Sequence, residues 1–308
     1  MSIPTAKPST RLAWCLVAPY VALLLGLIVL PLLAALHKSF SAVPTLSFTL
    51  LSAPLRALSE PLTLDHYQFI LGSAQGWRVI LTTVVVAAVV ATLLCVLSMF
   101  VAYGLARGGR GKAVVNAVIT FPSIAPGVTI IFGVLWLFGP MGPVNEVLWR
   151  QLGIVAEPIV FTGTMAAVIV GDMLLFSTIA MRIVASVYES IPLELELASQ
   201  SLGASMLQTF SWVLWPLLMP GLAAAWIFLF FRTMAAYVAA LLLGGGTQGV
   251  VVIPLEIYMQ VNSLGVGGTV AQAAALACVL LMATLIGRVL FLWIMRRNFS
   301  ERLGSEVL

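Results

Sequence analysis

Two charged side chains lie deep inside apolar runs of this sequence: Asp172 in "MAAVIVGDMLLFSTIAM" and Arg232 in "LAAAWIFLFFRTMAAYVAALLL". On insertion scales each costs about 2.5–3.5 kcal/mol at the centre of a membrane span, so each requires a partner or a watery cavity. Two readings are open. The pair bridge one another, or one or both line a pathway and meet a charged solute. A second polar stretch, "SIPLELELASQSLG" at residues 190–203, sits between long apolar runs and reads as a loop joining two spans. Other chemistry is thin. His37 and His66 match no zinc or haem spacing, and Cys15, Cys95 and Cys278 lie inside apolar runs as small hydrophobes. Neither a metal site nor a catalytic residue is expected. The segment "ARGGRGK" imitates a phosphate-binding loop, but Ala106 stands where a glycine is needed and Ala113 follows Lys112 in place of Ser or Thr. No strand precedes it, so it reads as a basic anchor that does not bind ATP.

The elements that position these residues follow from composition. The 308 residues are 61% hydrophobic and 8% charged, against about 25% charged in a soluble domain. Mean hydropathy is +1.11. Uncharged runs of about 20 residues predict spanning helices, and the alternating segments of a β-barrel are missing. The fold class is all-α, a polytopic helical membrane protein of six spans. They run from about Leu12 to Leu36, Val79 to Ala102, Ala113 to Leu137, Thr164 to Met181, Val213 to Leu243 and Val270 to Trp293. Residues 1–11 and 294–308 form terminal tails on either side of a transmembrane domain at 12–293. The first run is too long, and lacks the small-residue pattern, to be a cleaved signal. "FPSIAPG" places Pro122, Pro126 and Gly127 in the third span and predicts a kink there, from pathway geometry or from simple packing. At 1.5 Å per residue, Asp172 and Arg232 sit at matching depth, roughly 12–17 Å from one surface.

Ten basic residues flank one side of the spans (Lys7, Arg11, Arg107, Arg110, Lys112, Arg182, Arg288, Arg296, Arg297 and Arg302), against Lys38, Arg56, Arg78 and Arg150 on the other. The positive-inside rule then places both termini in the cytoplasm of a bacterial cell, along with residues 189–216. The net charge of +4 reflects membrane orientation rather than nucleic-acid binding.

Within that loop, Pro192 suits a first helical turn, and Glu194 and Glu196 fall where the helix dipole favours acids. Leu193, Leu195, Leu197 and Leu202 supply apolar surface. Gly203 can take the left-handed conformation that ends a helix, and Ser205 can cap a second one, "MLQTFSWVLW", interrupted by Pro216. The residues alone allow either an amphipathic helix resting at the headgroups or a surface built to be gripped.

The stretch "ELELASQSLGASMLQTFSWVLWPLLMPGL" resembles the signature loop of the permease subunits of binding-protein-dependent ABC importers of type I. The family pattern is Glu-Ala-Ala, three residues, Gly, nine residues, then Ile-x-Leu-Pro. Here Ala198 and Ser199 fall at the Ala-Ala positions before Gly203, and Val213, Leu214, Trp215 and Pro216 fall at the closing motif. Leu197 departs from the glutamate position, with Glu196 one residue early. The "SIP" lead-in, the "LGAS" elbow and the "LLLGGG" after the fifth span extend the likeness from about Leu12 to Trp293. The resemblance implies a coupling helix in the loop, docking on a separate ATPase dimer that binds ATP and Mg, with Leu195, Leu197, Ala198 and Leu202 filling the groove. It implies a second permease subunit, same or different, and a periplasmic substrate-binding protein. This chain would bind no cofactor and be no enzyme, but half of an alternating-access pathway in the inner membrane for a small polar or charged solute. The glycines after the fifth span would form a mobile periplasmic loop, with Glu256 and Tyr258 near the binding protein. The motifs look most like permeases for polyamines, ferric iron, thiamine and aminoethylphosphonate. Arg232, four residues before the position where such spans often carry an acid (here Ala236), hints at an anionic or zwitterionic substrate. The competing reading, a secondary transporter using Asp172 and Arg232 without an ATPase, leaves the Gly203 loop unexplained.

Overall fold

The computed structural model describes residues 10–42, 61–107, 112–246, 249–262 and 269–304. Of the two tails, residues 1–9, with Lys7, and 305–308 fall outside them, as do Arg56 and Arg110. The described residues are helical, with one isolated antiparallel bridge between Ser41 and Leu62. In chain order the helices are α1 (Thr10–Ser39), α2 (Asp65–Gly72), α3 (Ala74–Arg107), α4 (Lys112–Ile124), α5 (Gly127–Leu137), α6 (Pro143–Asn145), α7 (Met165–Glu189), α8 (Leu193–Ser201), α9 (Met206–Thr209), α10 (Trp215–Met234), α11 (Val238–Leu243), α12 (Ile253–Asn262) and α13 (Val270–Gly304).

Among the described residues, five stretches are long and apolar enough to cross a membrane: Val17–Ser39, Ala74–Gly104, Met165–Glu189, Met206–Met234 and Val270–Val289. The predicted third span is not a continuous helix. It is divided at Ala125–Pro126 into α4 and the short apolar α5, because Pro126 has no N–H for the carbonyl four residues back and takes an extended ψ of 134°. The predicted fifth span also stops early, at Met234, and resumes as α11 after three residues. At its other end, Pro216 does not interrupt the helix as expected. A π-helical turn at Phe210–Leu214 widens the ladder just before it, so the proline sits in the first turn of α10 and the chain stays helical. The fourth span runs on to Glu189, two turns past Met181.

The chain groups into two compact units. In residues 74–256 and 282–308, α3 and α7 pack along one another, with α10 against both and α4, α5 and α11 against α7. Ala102, Val184, Tyr188, Ile191, Leu214 and Leu218 form a buried cluster where α3, α7 and α10 converge. The connection from α5 to α7 is held by buried Asn145. Its Nδ2 donates to the carbonyls of Gly139 (2.9 Å) and Ile159 (3.1 Å), and its Oδ1 accepts from the Ile159 N–H (2.7 Å). In residues 1–73 and 257–281, the end of α1 is tied to α2. There the Tyr67 hydroxyl donates to Ser39 Oγ at 2.8 Å, and the Phe40 and Tyr67 rings lie 5.1 Å apart.

Candidate functional site

The loop after α7 is a helix, an elbow and a second helix. Pro192 is the N-cap of α8, and Glu194 and Glu196 occupy its first turn. The helix ends in a Schellman motif: Gly203 N–H donates to the Gln200 carbonyl at 2.9 Å and Ala204 N–H to the Ser199 carbonyl at 3.2 Å. That geometry requires a left-handed residue, and Gly203 has φ +87°. Ser205 then caps α9 in a reciprocal capping box: its Oγ accepts from Gln208 N–H, and Gln208 Oε1 accepts from Ser205 N–H. Ser199 Oγ and Thr209 Oγ1, 3.1 Å apart, tie the two helices together. The elbow is built rather than loose.

Its outer surface is apolar. Leu193, Leu195, Leu197, Leu202 (90% exposed), Met206, Leu207 and Trp212 all face outward. Glu194 and Ala198 are also exposed, Ser199 is half-buried, and Pro216 is half-buried inside the start of α10. Glu196 points the other way. It is 3% exposed, and its Oε1 accepts from Arg107 Nε at 2.7 Å, while another guanidinium nitrogen of Arg107 donates to the Ile191 carbonyl at 2.7 Å. Sequence reasoning placed Arg107 in a basic surface anchor. The structure instead uses it to fasten the elbow to the end of α3. The one available signal was an arginine at the last turn of a span, where a helix carbonyl end attracts a cation.

The second feature is a cleft of about 430 Å3 between two helix breaks. Pro122, Ala125 and Gly127 line it from the α4–α5 break, and Ala235, Ala236 and Tyr237 from the α10–α11 break. Arg232 projects into it, exposed, with its guanidinium 4.9 Å from the centroid of the buried Phe176 ring. Thr178, also on the lining, donates to the Ile119 carbonyl at 2.6 Å and joins α7 to α4. Pro122 and Arg232 thus line one cleft, whereas Pro126 makes the helix break between the lining residues Ala125 and Gly127 without lining it. The ion pair that sequence reasoning allowed between Asp172 and Arg232 is not formed. Among the described residues no ion pair within 4 Å joins them, and Asp172 is 4% exposed, off the cleft lining, with Oδ1 lacking a hydrogen-bond partner. The depths expected to match on consecutive spans did not make them an ion pair; the Arg232 guanidinium lies over the Phe176 ring instead. In the glycine-rich stretch after α11 the described glycines make close backbone contacts. Gly245 (φ +81°) packs against Gly163, whose N–H donates to the Leu243 carbonyl at 2.7 Å.

Long apolar helices, two helix breaks on the wall of one cleft and a capped elbow helix define a multi-pass helical membrane protein. Residues 95–299, about two-thirds of the chain, match the family described as binding-protein-dependent transport system inner membrane component, and the chain belongs to that family. It is 28% identical over 214 residues to the molybdenum transport system permease protein ModB of Haemophilus influenzae, covering 68% of this chain and 88% of that protein. It is 30% identical over 186 residues to the spermidine/putrescine permease PotB of Escherichia coli, covering 59% of this chain and 66% of that protein. Its fold matches a subunit of a bacterial alginate ABC transporter crystallised with a pentasaccharide-bound periplasmic protein, with a TM-score of 0.72 and 17% identity over 94% of this chain and 95% of that one. The chain is therefore an ABC importer permease subunit, a membrane component and not an enzyme.

Proposed function

We propose that this permease is one of two membrane subunits, identical or different, of an importer driven by a separate ATPase dimer, which binds ATP and Mg. It moves a small polar or charged solute by alternating access. A periplasmic binding protein delivers the solute, as the family description and the complexed alginate transporter suggest. Both termini and the elbow face the cytoplasm, in keeping with the bias of basic residues. α8 is the coupling helix, and Leu195, Leu197, Ala198 and Leu202 enter the ATPase groove. Closure of the ATPase dimer moves α8, and the Arg107–Glu196 contact carries that motion to α3.

One observation supports this reading above the rest: an exposed leucine ridge on a helix whose end is rigidly shaped by Gly203 and Ser205. A helix merely resting on headgroups has no need of a Schellman stop followed at once by a capping box. The test is to purify the chain from cells that co-express the ATPase and binding protein of its system, with and without Gly203→Asp. Co-purification of the ATPase with the parent, lost in the variant, supports coupling through the elbow. A folded chain that never brings an ATPase with it sinks the proposal.

A further inference from the structure

We infer that the cleft between the two helix breaks is a solute site selective for a small anion, or for an anionic group on a small solute, with Arg232 as the residue that binds it. This rests on the import reading above. Among the residues that line the cleft, Arg232 is the one charged side chain. Asp172, the acid that could neutralise it, lies off the lining and forms no ion pair with it. A single fixed cation between low-dielectric walls focuses a positive potential into the cavity, which concentrates anions and repels cations. The Arg232 guanidinium carbon lies 4.9 Å from the Phe176 ring centroid, and the side chain is exposed on the cleft lining, so its N–H edge can reach a solute there. That edge is the part of an arginine that matches a carboxylate, phosphate or other oxyanion in a two-point contact. The volume of about 430 Å3 lies at the small end of ligand pockets, so the fitting solute is of metabolite size. Both walls adjoin interrupted helices, at Ala125–Pro126 and at Ala235–Tyr237, where backbone polar groups are not all used within a helix.

The sign of the field can be read without knowing the solute. Ala236 lines the cleft four residues after Arg232. In a chain with Cys15, Cys95 and Cys278 replaced by alanine, Ala236→Cys is labelled in lipid nanodiscs with methanethiosulfonate ethylsulfonate and, separately, with the trimethylammonium reagent of the same length. Each rate is normalised to that of a free thiol. The expected ratio favours the anionic reagent, falls about tenfold with Arg232→Gln and is largely kept with Arg232→Lys. A ratio that favours the cation, or one that Arg232→Gln leaves unchanged, overturns the inference. So does import of spermidine by the reconstituted transporter. Association with the ATPase, measured on the same preparations, reports separately on the import reading: its loss with an intact labelling ratio faults the coupling and spares the site.

Discussion

Arg107 and Glu196 stand 89 residues apart in sequence and meet at 2.7 Å, joining the last turn of α3 to the first turn of α8. The arginine side chain is 15% and the glutamate side chain 5% exposed, so the contact is largely shielded from water. The same guanidinium also holds the Ile191 carbonyl, just before α8 begins. Force applied to the exposed leucines of α8 therefore reaches a transmembrane helix through a charge-assisted contact as well as through the peptide chain.

Removing one partner of this pair leaves the other charge buried and uncompensated, at a cost of roughly 3 kcal/mol. Glu196→Ala and Arg107→Ala are each expected to loosen the elbow, seen as faster hydrogen exchange over residues 191–205. Transport in the assembled system should fall more than ATPase binding does. Glu196→Gln, which can still accept from Arg107, should be milder. Equal exchange in Glu196→Ala and the parent would show that the contact does not hold the elbow.

Gly203→Ala separates backbone strain from steric fit. A Cβ at this position meets nothing within 4 Å, yet φ is +87°, so the substitution costs about 1–2 kcal/mol through conformation alone. The expected result is a chain that folds and inserts normally but binds its ATPase several-fold more weakly, because the end of α8 is redirected. Unchanged affinity would mean the elbow angle is not what the partner reads.

Gly245 and Gly246 both have positive φ, of +81° and +72°, but their surroundings differ. A Cβ on Gly245 would come within 2.8 Å of Gly163 Cα, a backbone atom, whereas one on Gly246 meets nothing. Gly245→Ala is therefore expected to lower the thermal midpoint in detergent by clearly more than Gly246→Ala, which carries the conformational cost alone. Equal shifts would remove the close approach from the account.

The rough place of the apolar stretches could be read from hydropathy, because lipid forces backbone groups into helices and leaves long apolar runs as the trace, but five of the six expected spans appear as long apolar helices among the described residues and the third is divided. The elbow was readable too, since Pro192, Gly203 and Ser205 each have a local conformational reason to be there. What sequence did not show was direction. Glu194 and Glu196 look alike in the sequence, yet one is exposed and the other buried against Arg107, a choice made by the rotation of α8 on the bundle. In the same way the matching positions of Asp172 and Arg232 along consecutive spans did not make them an ion pair. The break after Met234 had no proline or glycine to announce it, so the fifth span was drawn too long.

Asn145 carried no motif at all, and the structure makes it the staple of the α5–α7 connection. Asn145→Ala takes the acceptor from the Ile159 N–H and removes two donated bonds from a buried side chain, for a loss of about 1–2 kcal/mol. Asn145→Asp keeps an acceptor for Ile159 but loses both donors, so it should be nearly as damaging. Thermal unfolding of the purified chain checks both, and a shift within error for Asn145→Ala would show that the loop finds other partners.

Asp172 gives the most direct test of whether an intramembrane acid is there for stability. It is buried, with Oδ1 unsatisfied and no ion pair, so its carboxylate is expensive where it sits. Asp172→Asn removes the charge at nearly constant volume. If the acid has no structural task, the variant's thermal midpoint in detergent should be unchanged or a few degrees higher, with ATPase association intact. A marked fall would reveal that the charge stabilises the bundle at a distance, with Arg232 as the nearest candidate for the balancing cation. Transport by the same variant then divides the remaining cases. A stable chain that still imports has no use for the acid in this step. One that is stable but inactive needs a negative charge beside the cleft during the cycle, in a conformation other than the one described.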